Sequence, residues 1–325
     1  MKRNTPENIS VINEIFKSHS LGEVRVCSEL KGGTFNRVFK VSTEKGEYAI
    51  KIVGDTGREV LTYEKGLIET EAKVYELLQG AESGYFPKIQ GYNYGDGYEC
   101  KYLIMDFAAG TMLNKTKLSK EEYDGVMYYL GKAMAEIHRI KGEEGFGYMQ
   151  CGLKSTMREA YISMTDNLIK DARRKVKDIP YADRVSSAIK KNISAFDGIT
   201  VPVLNHFDLW GGNIVIRDGR LSSLIDCERA MFGVPEGDFI SLDYLAPFDM
   251  EKNRQLVEGY NSVAEEKLTF EGDSLKRFYL MRLQLGLIVF TESHYRYGKL
   301  SPMYIGSRAF GKKVIKNALK ELDKI

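Results

Sequence analysis

The sequence predicts an α+β protein of two lobes, with a small antiparallel sheet in the N-terminal lobe and a larger, mainly helical C-terminal lobe. Between Val24 and Val53, short apolar runs alternate with turn-rich connections, as is typical of antiparallel strands. The segment Ala108–Gly110 then breaks the pattern, and signals of helices dominate the rest of the chain. We therefore place the N-terminal lobe at residues 1–106 and the C-terminal lobe at residues 107–325.

The N-terminal lobe is expected to contain five strands and one helix. Segments that are rich in β-branched and aromatic residues and bounded by Gly-containing turns favour strands. These runs are Val24–Cys27, Arg37–Ser42, Tyr48–Val53, Lys88–Gln90 and Tyr102–Met105. The helix is expected at Glu69–Leu78, because its apolar residues recur at helical spacing.

In the C-terminal lobe, two capping boxes mark helix starts. In a capping box, a hydroxyl and a carboxylate three residues apart satisfy the first backbone amides of a helix. The pairs are Ser119 with Glu122 and Thr156 with Glu159. Near the end of the chain, Leu275–Tyr297 and Pro302–Leu322 are long enough and apolar enough to form two closing helices.

A hairpin is predicted where Asp218-Gly219 separates two strand-like runs, Ile214–Ile216 and Leu221–Ile225, since Asp-Gly is a strong signal for a two-residue hairpin turn. Folding about this turn brings Asn213 and Asp226 to the open end, on the order of 7 Å apart. An amide oxygen and a carboxylate are hard ligands that suit a divalent cation such as Mg²⁺. The hairpin therefore predicts a metal site at Asn213 and Asp226.

The composition excludes several classes of protein. The 325 residues are 43% hydrophobic and 28% charged, and the net charge is only +2. A balance of this kind gives no broad electrostatic attraction to nucleic acid or to an acidic membrane surface. The four cysteines are scattered without a paired CxxC motif, so we expect reduced thiols and no zinc site. A cytoplasmic protein with no nucleic-acid or membrane partner is expected, and its oligomeric state is left open.

Lys51 lies in the middle of an apolar strand, and Glu71 follows twenty residues later on the predicted helix. Alone, such a lysine is more often a charge on an edge strand, and such a glutamate is more often a surface residue. Together, they have the arrangement of a lysine–glutamate pair that holds nucleotide phosphates. Gly32-Gly33 forms a turn that would let the backbone approach those phosphates. The chain contains no GxxxxGK[ST] loop and no full GxGxxG motif, which argues against P-loop and Rossmann sites.

The order of these residues resembles the signature of the kinase superfamily. The matching positions are Gly32-Gly33, Lys51, Glu71, Met105–Gly110, His206, Asp208, Asn213 and Asp226. The segment from Asp226 to Asp238 is similar to that of the aminoglycoside phosphotransferase and choline kinase-like small-molecule kinases. The loop HFDLWGGN is similar to its fructosamine kinase variant. The resemblance covers roughly residues 20–250, and the chain departs from it by having Phe207 and Cys227 at two motif positions.

The resemblance implies a protein-kinase-like fold and an ATP- and Mg²⁺-dependent enzyme. It implies that Asp208 accepts the proton of the attacking hydroxyl and that Asn213 and Asp226 hold Mg²⁺. Lys51, positioned by Glu71, would bind the α- and β-phosphates, next to the Gly32-Gly33 turn. The carbonyl of Asp106 and the amide of Ala108 would bind adenine. His206 and Asp238 are interpreted as structural groups, with Asp238 a buried acceptor that braces the loop.

The phosphate acceptor is expected to be a small molecule with a hydroxyl group and one or a few amino groups, such as an aminoglycoside or other antibiotic, an amino sugar or an amino alcohol. From Asp226 to Glu251 there are seven acidic residues against one basic residue, Arg229, which favours an amine. If the acceptor is an antibiotic, the enzyme would confer resistance to it. Two alternatives stay open: a catalytically silent nucleotide-binding regulator with the kinase fold, and a protein kinase. The absence of an Ala-Pro-Glu motif and of a long phosphorylatable loop argues against the protein kinase.

Overall fold

The computed structural model describes residues 6–30, 36–54, 57, 59–81, 83–95 and 100–325. Its N-terminal part is built on a five-stranded antiparallel sheet with the strand order β1-β2-β3-β5-β4. The strands are β1 (Val26–Leu30), β2 (Asn36–Ser42), β3 (Glu47–Val53), β4 (Ile89–Asn93) and β5 (Tyr102–Asp106). All five predicted strands are thus confirmed, although β1 begins two residues later than the sequence suggested, at Val26.

One helix packs on each face of this sheet. Side chains alternate along β3, so that Ile50 faces helix α1 (Pro6–Ser18) and Lys51 faces helix α2 (Leu67–Leu78). Helix α2 confirms the predicted helix and begins two residues before Glu69. Helix α1 was not predicted, although its buried residues Ile12, Ile15 and Phe16 have the i, i+3, i+4 spacing of an apolar helical face.

The C-terminal part is mainly helical, as predicted. Its helices are α3 (Lys120–Ile137), α4 (Met157–Lys175), α5 (Ala182–Asn192), α6 (Arg254–Asn261), α7 (Gly272–Arg296) and α8 (Pro302–Leu322). The capping box of α3 is complete, since Ser119 and Glu122 each bind the other's backbone amide. At α4, the side chain of Thr156 accepts a hydrogen bond from the amide of Glu159, which is one half of the predicted box. Helices α7 and α8 pack against each other as the closing pair.

Two small antiparallel sheets connect the helices to the site. The first contains β6 (Thr111–Met112), β8 (Ile214–Arg217) and β9 (Arg220–Leu224), and the second contains β7 (Val203–Asn205) and β10 (Met231–Gly233). The predicted hairpin is confirmed, because Arg217 pairs with Arg220 across Asp218 and Gly219. Both turn residues have positive φ, 51° and 71°, as a tight two-residue hairpin turn requires.

The larger apolar core is continuous across the proposed junction between the lobes. It includes Leu103 and Met105 of β5 and Ala72 of α2, together with most of the buried residues of α3, α4 and α7. The division at residues 106 and 107 stays a prediction. Within the described residues, none of the helices combines the length and apolar character needed to cross a bilayer.

Candidate active site

The loop from His206 to Asn213 joins β7 to β8 and carries the proposed base. Asp238, which is fully buried, accepts hydrogen bonds from the backbone amides of His206 (3.0 Å) and Phe207 (2.6 Å). Phe207 has a positive φ of 61° and points into the core. Positive φ is costly for a bulky residue, so the two bonds to Asp238 fix an otherwise unfavourable turn. The predicted bracing role of Asp238 agrees with these contacts.

Two histidines, His206 in this loop and His138 beside it, make polar contacts with neighbouring segments. Nε2 of His206 lies 3.0 Å from the carbonyl oxygen of Ile225, which ties the loop to the end of the hairpin. His138, at the end of α3, lies 2.9 Å from the hydroxyl of Tyr260 and 3.0 Å from Asp238. His138 thereby connects the end of α3 to Asp238.

Asp208 lies at the floor of the cleft between the sheet and the helical part, where both of its carboxylate oxygens have partners. Oδ2 accepts a hydrogen bond from the side-chain amide of Asn213 (3.1 Å), and Oδ1 accepts one from Arg229 (3.2 Å). Burial raises the pKa of Asp208 and the charge of Arg229 opposes this rise. The carboxylate is therefore oriented by two donors and remains in contact with the cleft.

Asn213 and Asp226 are brought together by the hairpin, as the sequence predicted. The amide of Ile225 donates to the carbonyl of Asn213 at 3.0 Å, which places Asp226 directly after the last paired residue. Asp226 adopts a positive φ of 69°, and its amide donates to the hydroxyl of Tyr75 on α2 (3.1 Å). Helix α2 thus helps to orient the carboxylate of Asp226.

Lys51 links the sheet, α2 and the hairpin in a buried ion cluster. Its Nζ lies 2.6 and 2.7 Å from the two carboxylate oxygens of Glu71 and 2.7 Å from Oδ1 of Asp226. Burial raises the pKa of Glu71 to about 7 against the attraction of Lys51. Burial also acts to raise the pKa of Asp226, but Lys51 outweighs it and the net pKa is lowered. The predicted pair of Lys51 and Glu71 is present, with Asp226 as a third member.

A divalent cation fits the donors at the end of the hairpin. The side-chain nitrogen of Asn213 is committed to Asp208, so its oxygen Oδ1 is the atom left for a cation. Lys51 donates to Oδ1 of Asp226, and among the described residues Oδ2 has no hydrogen-bond donor. Carboxylate oxygens of Glu71, Asp226 and Glu228 also lie within 4.8 Å of one another. Because Lys51 engages both oxygens of Glu71, the hard oxygens left for Mg²⁺ come from Asn213, Asp226 and Glu228.

The cleft has a volume of about 870 Å³ and is bordered by most of the predicted site residues. Asp106 and Ala108 lie at its edge, where the chain leaves β5, and Val38, Ala49 and Met105 provide apolar walls. The side chain of Asp106 accepts a hydrogen bond from Gln90 (2.7 Å). Gly32 and Gly33 lie outside the described residues.

Sequence reasoning missed a chain of charged residues behind Asp208. Arg229 donates to Asp208 and also to Glu292 of α7 (2.6 Å). Glu292 further accepts from the hydroxyl of Tyr63 and lies 3.0 Å from Arg296, which pairs with Glu64. These residues are far apart in sequence and belong to no motif, so only their shared charge and burial could have indicated them.

Comparison with known proteins shows the family to which the chain belongs. The model of the phosphotransferase enzyme family (APH) matches residues 26–273, which is most of the chain. No curated protein is matched by the sequence.

Solved structures agree in fold. APH(4)-Ia in complex with ADP and hygromycin B has a TM-score of 0.68 at 17% identity, covering 96% of this chain and 98% of that one. APH(2″)-IIa in complex with streptomycin and ATP has a TM-score of 0.62 at 18% identity, covering 97% and 99%. A Ralstonia eutropha JMP134 protein that is provisionally named an aminoglycoside phosphotransferase has a TM-score of 0.68 at 14% identity, covering 97% and 98%.

The protein-kinase-like fold that the sequence predicted is thereby confirmed. The family model spans the sheet, the loop that carries Asp208, and the hairpin with Asp226, so the match includes the parts that build the cleft. The chain therefore belongs to the phosphotransferase enzyme family and is a small-molecule kinase.

Proposed function

We propose that the protein transfers the γ-phosphate of ATP to a hydroxyl group of a small molecule that carries at least one amine. The observation that carries this proposal is the convergence of Asp208, Asn213, Asp226 and the Lys51–Glu71 pair on one cleft. Three structures of similar fold support it, since they are complexes of ADP, ATP and aminoglycosides. A catalytically silent regulator would have no need for Asp208 to be oriented by two donors.

In the proposed reaction, the acceptor hydroxyl attacks the γ-phosphorus. A bond forms between the hydroxyl oxygen and phosphorus, the bond from phosphorus to the β–γ bridging oxygen breaks, and ADP leaves. Asp208 accepts the hydroxyl proton, and Asn213 and Arg229 hold its carboxylate in place. Asn213 and Asp226 would hold Mg²⁺, which would supply charge neutralisation on the phosphates.

Nucleotide would bind on the sheet side of the cleft. The ammonium of Lys51 already bridges Glu71 and Asp226, so it lies beside the metal ligands, where the α- and β-phosphates must pass. Adenine would then lie between the apolar side chains of Val38, Ala49 and Met105, within reach of the main chain at Asp106 and Ala108. This arrangement assigns the remaining part of the cleft to the acceptor.

The case for an amine on the acceptor is carried by fewer residues than the sequence indicated. Of the acidic residues between Asp226 and Glu251, Glu236 is paired with Arg277, Asp238 braces the loop, and Glu251 binds Arg254. Of the seven acidic residues from Asp226 to Glu251, only Asp226 and Glu228 line the cleft. We therefore favour one amino group, or few, over a polycation.

A test begins with ATP consumption measured against amino alcohols, amino sugars and antibiotics. Once an acceptor is found, Asp208→Asn should lower kcat by roughly 10²–10⁴-fold and leave the Kd of Mg·ATP nearly unchanged, because Asp208 faces the hydroxyl. Asp218→Asn, at the exposed hairpin turn, is the matched control and should keep normal kcat. Normal turnover in Asp208→Asn, or no transfer to any hydroxyl compound, would overturn the proposal.

A further inference from the structure

One face of α7 lines the part of the cleft that lies away from the sheet. Leu285, Val289, Glu292 and Arg296 all border the cleft, and they follow the i, i+4, i+7, i+11 spacing of a single helical stripe. The stripe is apolar in its first half and charged in its second half. Because Glu292 holds Arg229, which contacts Asp208, the charged half lies nearest the reacting centre.

Two aromatic side chains extend the apolar half of the stripe. Tyr244 and Phe310 of α8 border the same cleft, and their rings meet edge to face with centroids 5.4 Å apart. Burial chiefly, and then the nearby charge of Asp208, raise the pKa of Tyr244, and both residues line the same cleft. We call Tyr244, Leu285, Val289 and Phe310 the apolar wall. An acceptor that presents its hydroxyl to Asp208 therefore has the apolar wall in the same cleft to pack against.

The charged half of the stripe offers little attraction to a polycation. Glu292 is already shared by Tyr63, Arg229 and Arg296. Glu228 lies on the other side, since its carboxylate is within 4.8 Å of those of Glu71 and Asp226. Two arginines also line the side of the cleft that holds the charged half. The acceptor side of the cleft thus combines a mainly apolar surface with charged groups that are already paired, which suits a ligand of low charge.

We propose that the acceptor is an amphiphilic amino alcohol, with one amine, a nearby hydroxyl and an apolar face that packs on the apolar wall. This inference rests on the proposed function for the identity of the site but not for its binding preference. Each methylene that the wall removes from water should tighten binding by about three- to fourfold, whereas a sugar with several amines gains nothing from the wall.

The test uses a homologous series from N-methylethanolamine to N-hexylethanolamine, in which the amine and hydroxyl stay constant while the alkyl chain lengthens. Binding is measured by calorimetry with ADP present, and phosphoryl transfer is measured separately with ATP. We expect Kd and acceptor KM to fall together along the series, and kanamycin, which carries several amines, to bind more weakly than the longest member. If Kd falls with chain length but no phosphate is transferred, the apolar wall stands and the proposed function fails.

Two variants of the apolar wall and one control test whether the gain in affinity per methylene comes from the wall. Val289→Asn and Phe310→Ala should each reduce the gain per methylene to less than about twofold. Ile162→Asn, at an exposed position of α4 away from the cleft, should keep the full gain. Because both wall residues are partly exposed, the variants should fold, which their melting temperatures check. A Kd that is independent of chain length, or kanamycin as the best ligand, would overturn the inference.

Discussion

The carboxylate of Asp238 accepts a hydrogen bond of 2.6 Å from the backbone amide of Phe207, a residue with a positive φ of 61°. This contact joins the segment after β10 to the loop that carries Asp208, one residue further on. Since a bulky residue rarely adopts positive φ without compensation, the position of Asp208, the proposed base, depends on the fully buried carboxylate of Asp238.

Asp238→Asn should therefore impair both folding and turnover. Loss of the charge weakens the bonds to His206, Phe207 and His138, so we expect the free energy of unfolding to fall by roughly 2–4 kcal/mol. We also expect kcat to fall, because the loop that positions Asp208 loses its fixed turn. Urea unfolding and steady-state kinetics measure the two effects. Asp197→Asn, which removes an exposed partner of Arg158, serves as the control and should change neither quantity appreciably.

The stability that Asp238 provides should depend on pH. Burial acts to raise the pKa of Asp238, but the hydrogen bond and charge of His138, with further help from the loop, lower it overall. Because the folded pKa lies below the unfolded value of about 3.9, this stability is present at neutral pH and is lost as the pH falls through the folded pKa. The difference in unfolding free energy between wild type and Asp238→Asn should shrink below about pH 4. An unchanged difference at lower pH would contradict the assignment.

Lys51→Met should destabilise the protein by roughly 3–5 kcal/mol, because it leaves Glu71 buried without its cation. The double variant Lys51→Met/Glu71→Leu should recover most of this loss, since replacing both partners of a buried pair by apolar residues is often neutral. A double-mutant cycle with urea unfolding measures the coupling. Additive single effects would show that the pair is not a unit.

The Lys51→Met variant should also be more stable to unfolding at mildly acidic pH than at neutral or basic pH. Burial raises the pKa of Glu71 to about 7 even with Lys51 present, and removal of Lys51 takes away an opposing effect. A carboxyl group that is protonated in the folded state and ionised in the unfolded state destabilises the fold as the pH rises. We expect Lys51→Met to be more stable near pH 5 than near pH 8. Greater stability at pH 8 would mean that Glu71 finds another partner.

Asp226→Ala should abolish the stabilisation by Mg·ATP. When Mg·ATP is present at about 100 times its Kd, this stabilisation amounts to ~2.7 kcal/mol. It should be lost in the variant because Asp226 is a proposed ligand of the metal. Melting with ATP, with and without Mg²⁺, makes the comparison, and Asp249→Ala at an exposed loop is the control. If the variant keeps the full Mg²⁺-dependent shift, Asp226 does not hold the metal.

Glu292→Gln should lower kcat by about tenfold with little change in the Kd of Mg·ATP, consistent with one charged hydrogen bond of 1–2 kcal/mol. Arg229 would lose its charged partner on α7 and would no longer be fixed in the position from which it donates to Asp208. Glu292→Asp, which keeps the charge, should recover part of the activity. Glu251→Gln, at an exposed ion pair, is the control. A purely structural role for Glu292 would instead lower stability and leave kcat per folded molecule unchanged.

By itself, the sequence determined the parts of the protein whose signals are local. The Asp218-Gly219 turn fixed the hairpin and so brought Asn213 next to Asp226, because two left-handed residues in a row impose one turn geometry. The alternation of side chains along β3 and the spacing to α2 likewise placed Lys51 opposite Glu71. The family resemblance rested on these same short segments.

Only the tertiary structure decided what surrounds those segments. Helix α1 and the apolar wall have ordinary helical patterns, and a pattern states that a face is buried but not against what. The charged chain from Asp208 through Arg229 to Glu292 joins residues 84 positions apart between its ends, 208 and 292, and two of them carry no motif. The acidic residues between Asp226 and Glu251 suggested a local negative field that favours an amine, but the fold leaves most of them outside the cleft. A sequence shows that a residue is charged but not which way its side chain points, and the fold decides that direction.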